Sequence, residues 1–199
     1  MAITRKAALL FWGFLLASAQ AQTSARDLYY KELAPESAGT GLRLQLRKMQ
    51  GGKWMPVDPA SVFRSGDQIR LDLESNRQAH LYVAAQGSDG RWSVLFPSTG
   101  TLETASRVFP NRAVFLEAQF DNRPGKETLH IALLAEPQID QAKLIELIKS
   151  APSSPAQKSR TGTLDRDLRY EAAAPAYEYS AFLVSQGKRL FTRIDLKHE

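Results

Sequence analysis

From Leu42 onward apolar residues recur at every second position, the spacing of strands with one buried and one wet face. Leu42, Leu44 and Leu46 alternate with Arg43, Gln45 and Arg47, and Ile69, Leu71 and Leu73 with Arg70, Asp72 and Glu74. Leu81, Val83 and Ala85 alternate with His80, Tyr82 and Ala84. Turn formers separate these runs. Gln50-Gly51-Gly52-Lys53 offers glycines for the positive φ of a tight hairpin, and Asp89-Gly90 suits a type I′ turn leading to Trp92–Phe96. That strand stops at Pro97, which cannot donate to a ladder. Val114–Leu116 and Thr128–Leu134 are further strands, with the turn-rich Asp121-Asn122-Arg123-Pro124-Gly125 between them.

After Pro137 the period changes. Ile139, Leu144, Leu147 and Ile148 suit one short helix, with Asp140 as its N-cap and Ile139 stapled onto Leu144. Lys149 sits where it complements the helix dipole. Residues 151–169 have little to bury and read as a loop. Strands are expected again at Tyr177–Ser185 and Leu190–Leu196, joined by Gln186-Gly187-Lys188 as a C-terminal hairpin. Seven to nine strands with short turns predict a mostly all-β fold, an antiparallel immunoglobulin-like β-sandwich with one short helix. It is expected to occupy residues 40–199.

Residues 1–21 read as a secretory signal peptide, followed by an N-terminal extension over 22–39. Arg5 and Lys6 precede an apolar run from Ala7 to Ala17, and Ala19-Gln20-Ala21 supplies the small residues of a cleavage site. The run is too short to span a bilayer as a helix. The expected destination is a bacterial periplasm or the exterior, with no membrane anchor after cleavage near Ala21. Removing the segment lowers the formal net charge from +5 to +3, since it carries two bases and no acid. The chain has no cysteine, so its stability must come from the core, and thiolate chemistry is excluded.

Phe63-Arg64-Ser65-Gly66-Asp67, then His80-Leu81-Tyr82-Val83, Gly87-Ser88-Asp89-Gly90 and Val94-Leu95-Phe96-Pro97 follow one another in order. This succession resembles an uncharacterised family of exported bacterial β-sandwich domains. Its members open with Phe-x-x-Gly-Asp before a strand and close with Leu-Phe-Pro. The resemblance covers about residues 40–136 and implies an accessory module, found in some proteins beside protease or kinase domains. It brings no catalytic residue to this chain. The motif also has a folding rationale: Phe63 as a core plug, and Asp67 bonding the amides of its own turn.

The chemical inventory is thin. The histidines are His80, His130 and His198, and there is no Gly-x-Ser-x-Gly elbow. A hydrolase would need one of them within hydrogen-bond reach of a serine and an acid. No His-Glu-x-x-His pattern or calcium-loop ladder of acids is present, so no metal and no cofactor is expected. Asp72 and Glu74 are expected to pair across strands with Arg43 and Arg47. Two groups remain as weak binding candidates. Trp54, Trp92, Tyr177 and Tyr179 could form a stacking platform, and Arg160, Arg166 and Arg169 make a locally basic loop.

The expected role is therefore a non-enzymatic accessory or protein-interaction module of the cell envelope. Its expected partner is another envelope protein, not nucleic acid. Binding of cell-wall glycan or other carbohydrate is the alternative, and a hydrolase ranks third.

Overall fold

The computed structural model describes residues 39–152, 154–155, 168–172, 180–185 and 187–199. The signal segment and nearly all of the extension lie outside them. In chain order the elements are β1 (Thr40–Gln50), β2 (Lys53–Pro56), β3 (Val62–Phe63), β4 (Gln68–Ser75), β5 (Ala79–Gln86) and β6 (Trp92–Phe96). Next come α1 (Leu102–Ala105), β7 (Arg107–Val108), β8 (Ala113–Gln119), β9 (Gly125–Leu134) and α2 (Gln141–Ser150). The chain closes with β10 (Ser154–Pro155), β11 (Leu168–Ala172), β12 (Ser180–Ser185) and β13 (Arg189–His198).

Two sheets pack face to face. One runs β11-β12-β1-β4-β8, with β2 also on β1. The other runs β10-β13-β9-β5-β6, with β3 on β13 and β7 on β5. Taken alone, β1-β4-β8 over β6-β5-β9-β13 is the A-B-E over C′-C-F-G order of an immunoglobulin-like sandwich. The short parallel pairing of β3 with β13 ties the first strand region to the last. The segment from α2 to β12 is inserted before that final strand.

The period-two leucines do what their spacing requires. Leu42, Leu44, Leu46, Leu71 and Leu73 from one sheet meet Leu81, Val83, Ile131, Leu133 and Ile194 from the other, all buried. Each such side chain removed from water contributes about 1.5–3 kcal/mol. The polar faces pair as expected, with Arg43–Glu74 at 2.9 Å and Arg47–Asp72 at 2.6 Å. The outer face of the second sheet is not wet, however. Tyr82, Ala84, Ala132 and Leu134 are buried beneath Leu144 and Ile148 of α2, which makes three layers. A polar chain runs under the helix: His80 Nδ1 lies 2.9 Å from Ser106 Oγ, which donates to Tyr82 Oη, which accepts from Gln138 N.

Several local expectations need correction. There is a second helix, the single turn α1, capped by Thr101. The Gly87–Gly90 turn is closed by Gly90 N donating to Gly87 O, and within it only Gly90 takes a positive φ. A type I′ turn needs two such residues, so the loop is a turn followed by a left-handed glycine. Asp140 does cap α2, accepting from the amides of Ala142 and Lys143, and Lys149 does lie in its last turn. Ile139 does not staple: it is 78% exposed, while the neighbouring Gln138 N donates to Tyr82 Oη. Finally, β12 and β13 are not a hairpin. β12 pairs with β1 and β11, while β13 pairs with β9, so the connection crosses from one sheet to the other. Each strand still completes one of the two sheets. Within the expected 151–169 loop, Ser154–Pro155 pairs with β13, and Leu168 and Arg169 belong to β11. Among the described residues no helix is long and apolar enough to cross a membrane.

Candidate functional site

Among the described residues, β6 and β8 end their sheets on the same side of the sandwich. A cleft of about 450 Å³ opens there. Its wall includes the buried core residues Ile69, Phe120 and Leu129 and the half-buried Leu95 and Ala118. Its rim is charged, with Asp89, Arg91, Asp121 and Arg123. Asp89 binds Arg91 at 2.6 Å and Arg123 at 3.5 Å, linking the β5–β6 turn to the β8–β9 loop. The Arg91 amide and guanidinium hold the Asp89 carboxyl below its ordinary range. Gly125 sets how closely these two loops approach. It has φ +150°, and a Cβ there would lie 2.5 Å from Ser88 Cβ.

One end of the cleft is a polar cluster packed on aromatic rings. Phe63 is fully buried, as a core plug should be, and stacks on Phe120 at 5.0 Å. Phe120 in turn lies 5.0 Å from the His198 ring. His198 is buried at the end of β13, with Nε2 3.2 Å from Ser65 Oγ and Nδ1 3.5 Å from Glu127 Oε1. Asp121, Glu127 and His198 each offer a ligand atom, and these atoms lie within 4.8 Å of one another. Burial pushes the Glu127 carboxyl up and Asp121 adds to that push, while His198 pulls it down.

The turn that carries Ser65 is built as its sequence suggests. Asp67 accepts from Arg64 N at 2.8 Å and from Lys48 Nζ at 2.5 Å. Burial raises the Asp67 carboxyl, but these donors outweigh it and leave it below its ordinary value.

His198 therefore lies beside both a serine and an acid, an arrangement that approaches what a hydrolase requires. Two features separate it from a working relay. The His198–Glu127 separation exceeds a hydrogen bond. The amides following Ser65 are engaged, Gly66 N with Phe120 O and Asp67 N with Arg64 O, whereas acyl transfer needs free donors beside the nucleophile. His80 reaches Ser106 instead, and neither ring nitrogen of His130 has a hydrogen-bond partner among the described residues.

The aromatic candidates do not share a surface. Trp54 lies on the outer face of the first sheet, where Arg70 sits 5.2 Å from its ring and 4.8 Å from that of exposed Phe115. Trp92 lies on the outer face of the second sheet, against His130 and Lys149. Tyr177, Tyr179, Arg160 and Arg166 fall outside the described residues, and Arg169 is a β11 residue opposite Val184. Sequence reasoning missed the cluster of Asp121, Glu127 and His198, because no fixed spacing links a loop, a strand start and a strand end.

Residues 62–133 match the family model described as a domain of unknown function (DUF4384). That stretch runs from β3 through nearly all of β9 and carries the Phe63–Asp67 and Leu95–Pro97 motifs. No curated protein and no solved structure matches the chain.

Proposed function

We propose that the chain is an exported, non-enzymatic interaction module of the bacterial cell envelope, and that its cleft receives an extended segment of another envelope protein. One observation carries this reading: two sheet edges border a cleft whose wall presents the half-buried apolar side chains of Leu95 and Ala118. An unpaired strand edge offers a row of amides and carbonyls to an added strand, and adjacent apolar space gives its side chains somewhere to go. The β8 edge supplies the first and the wall around Leu95 and Ala118 the second. The apolar run before Ala21 supports export.

The test is crosslinking of the chain in its native envelope, with recovered material read by mass spectrometry. One protein recovered repeatedly is expected, with its crosslinks mapping to β6 and β8. Ala118→Arg, which fills the cleft from an edge strand, should reduce that recovery by at least about tenfold while circular dichroism stays unchanged. Recovery of glycan without protein would replace this reading with carbohydrate binding. Undiminished recovery with Ala118→Arg would move the contact elsewhere on the surface.

A further inference from the structure

We propose that Asp121, Glu127 and His198 form a binding site for one divalent transition-metal cation of the Zn²⁺ class. The three side chains come from the β8–β9 loop, the start of β9 and the end of β13, and converge within 4.8 Å. Such convergence of two carboxylates alone would mean little. The imidazole makes the difference. His198 is only 2% exposed, and its Nδ1 is buried without a hydrogen-bond partner among the described residues, facing Glu127. Leaving a buried polar atom in that state is unfavourable unless something binds it.

The other ring nitrogen is already arranged as a metal-binding histidine needs. Ser65 Oγ, 3.2 Å away, can accept from Nε2–H, and in that tautomer the Nδ1 lone pair faces the carboxylates. Phe120 holds the ring from one side. Ser65 is thus a positioning residue, which explains why its hydroxyl touches His198 without the donors a nucleophile would require.

Donor chemistry selects the cation. One imidazole nitrogen and two carboxylate oxygens suit Zn²⁺ and its first-row neighbours, whereas Ca²⁺ takes six to eight oxygens. Bonds of about 2.0–2.2 Å require the donors to draw together by roughly an ångström from their widest separation. Asp121 is exposed on its loop and can supply that movement. The cation would neutralise the two neighbouring carboxylates and fasten the loop carrying Arg123 to the last strand. Since Asp121 and Glu127 also line the cleft, it would stand in the cleft wall. The site does not depend on the partner proposed above, because it is built wholly from this chain.

The full chain, stripped with a chelator, is titrated with Zn²⁺ by calorimetry, with thermal unfolding followed in parallel. Saturation near one Zn²⁺ per chain and a higher Tm are expected, with no Tm shift from Ca²⁺ at the same concentration. Asp121→Asn and His198→Gln should each weaken binding by at least about tenfold. Asp121 is exposed, so its variant tests the site even if the buried histidine variant fails to fold. Co²⁺ should give a visible d–d band that Asp121→Asn abolishes. Absence of saturable uptake, or uptake unchanged in an Asp121→Asn, Glu127→Gln double variant, would overturn the proposal, as would stabilisation by Ca²⁺ alone.

Discussion

His130 is buried on the outer face of the second sheet, its ring 4.6 Å from that of Trp92 and neither nitrogen hydrogen-bonded among the described residues. Burial holds its imidazole below the ordinary value, with Arg193 reinforcing the shift and Asp195 opposing it. From α2, Lys149 adds a positive charge over the Trp92 ring. His80 is depressed as well, by burial and by Arg107, against a smaller opposing pull from Glu103. A histidine depressed in the folded state leaves stability intact above its unfolded pKa, about 6.5, and removes it as pH falls below that towards the folded value. The Tm should therefore fall between about pH 7.5 and about pH 5.5. His130→Phe, which keeps the ring and removes the orphaned nitrogens, should raise Tm and shrink that fall, His80 accounting for the remainder. An equally steep fall in the variant would remove His130 as its source. At this scale the sequence revealed what lies on adjacent strands. Arg43–Glu74 and Arg47–Asp72 follow from alternation, and Phe63 from its place before a turn. His198 was not legible, since its serine partner lies 133 residues away.

Elements were legible where their signals are local. Asp140 caps α2 because a short acidic side chain before an amphipathic run can reach the next free amides. The connection after β12 was misread for the opposite reason. A short turn between two apolar strands looks the same whether the second strand returns to the first or crosses to the facing sheet. The β8–β9 loop combines both situations. Its glycine was visible as a turn former, but the demand on Gly125 comes from Ser88 in a distant turn. Gly125→Ala should cost about 1–3 kcal/mol in urea unfolding through that overlap. It should also push the β5–β6 turn outward and widen the cleft, read as faster amide exchange at residues 87–91. A variant of parental stability and exchange would mean that the two loops do not press on each other.

At the scale of the whole molecule, the family match and the folding unit have different boundaries. Residues 62–133 hold β4, β5, β6 and β8, but neither β1, the inner neighbour of β4, nor β13, the neighbour of β9. Without those strands Leu71, Leu73, Ile131 and Leu133 lose facing partners, and two strands that are now internal become long bare edges. The pairing of β3 with β13, and of Glu199 N with Phe63 O, shows the last residues closing onto the first of the matched stretch. Folding therefore depends on contacts between chain ends, which sequence periodicity cannot register, because it reports what each strand buries and not which strand it meets. A fragment of residues 62–133 should show no cooperative thermal transition, whereas residues 39–199 should unfold in one. Restoring only β1, in residues 39–133, should still leave β9 bare and the fragment unfolded. A cooperative transition in either short fragment would place the core within the matched stretch and make β13 an accessory to it.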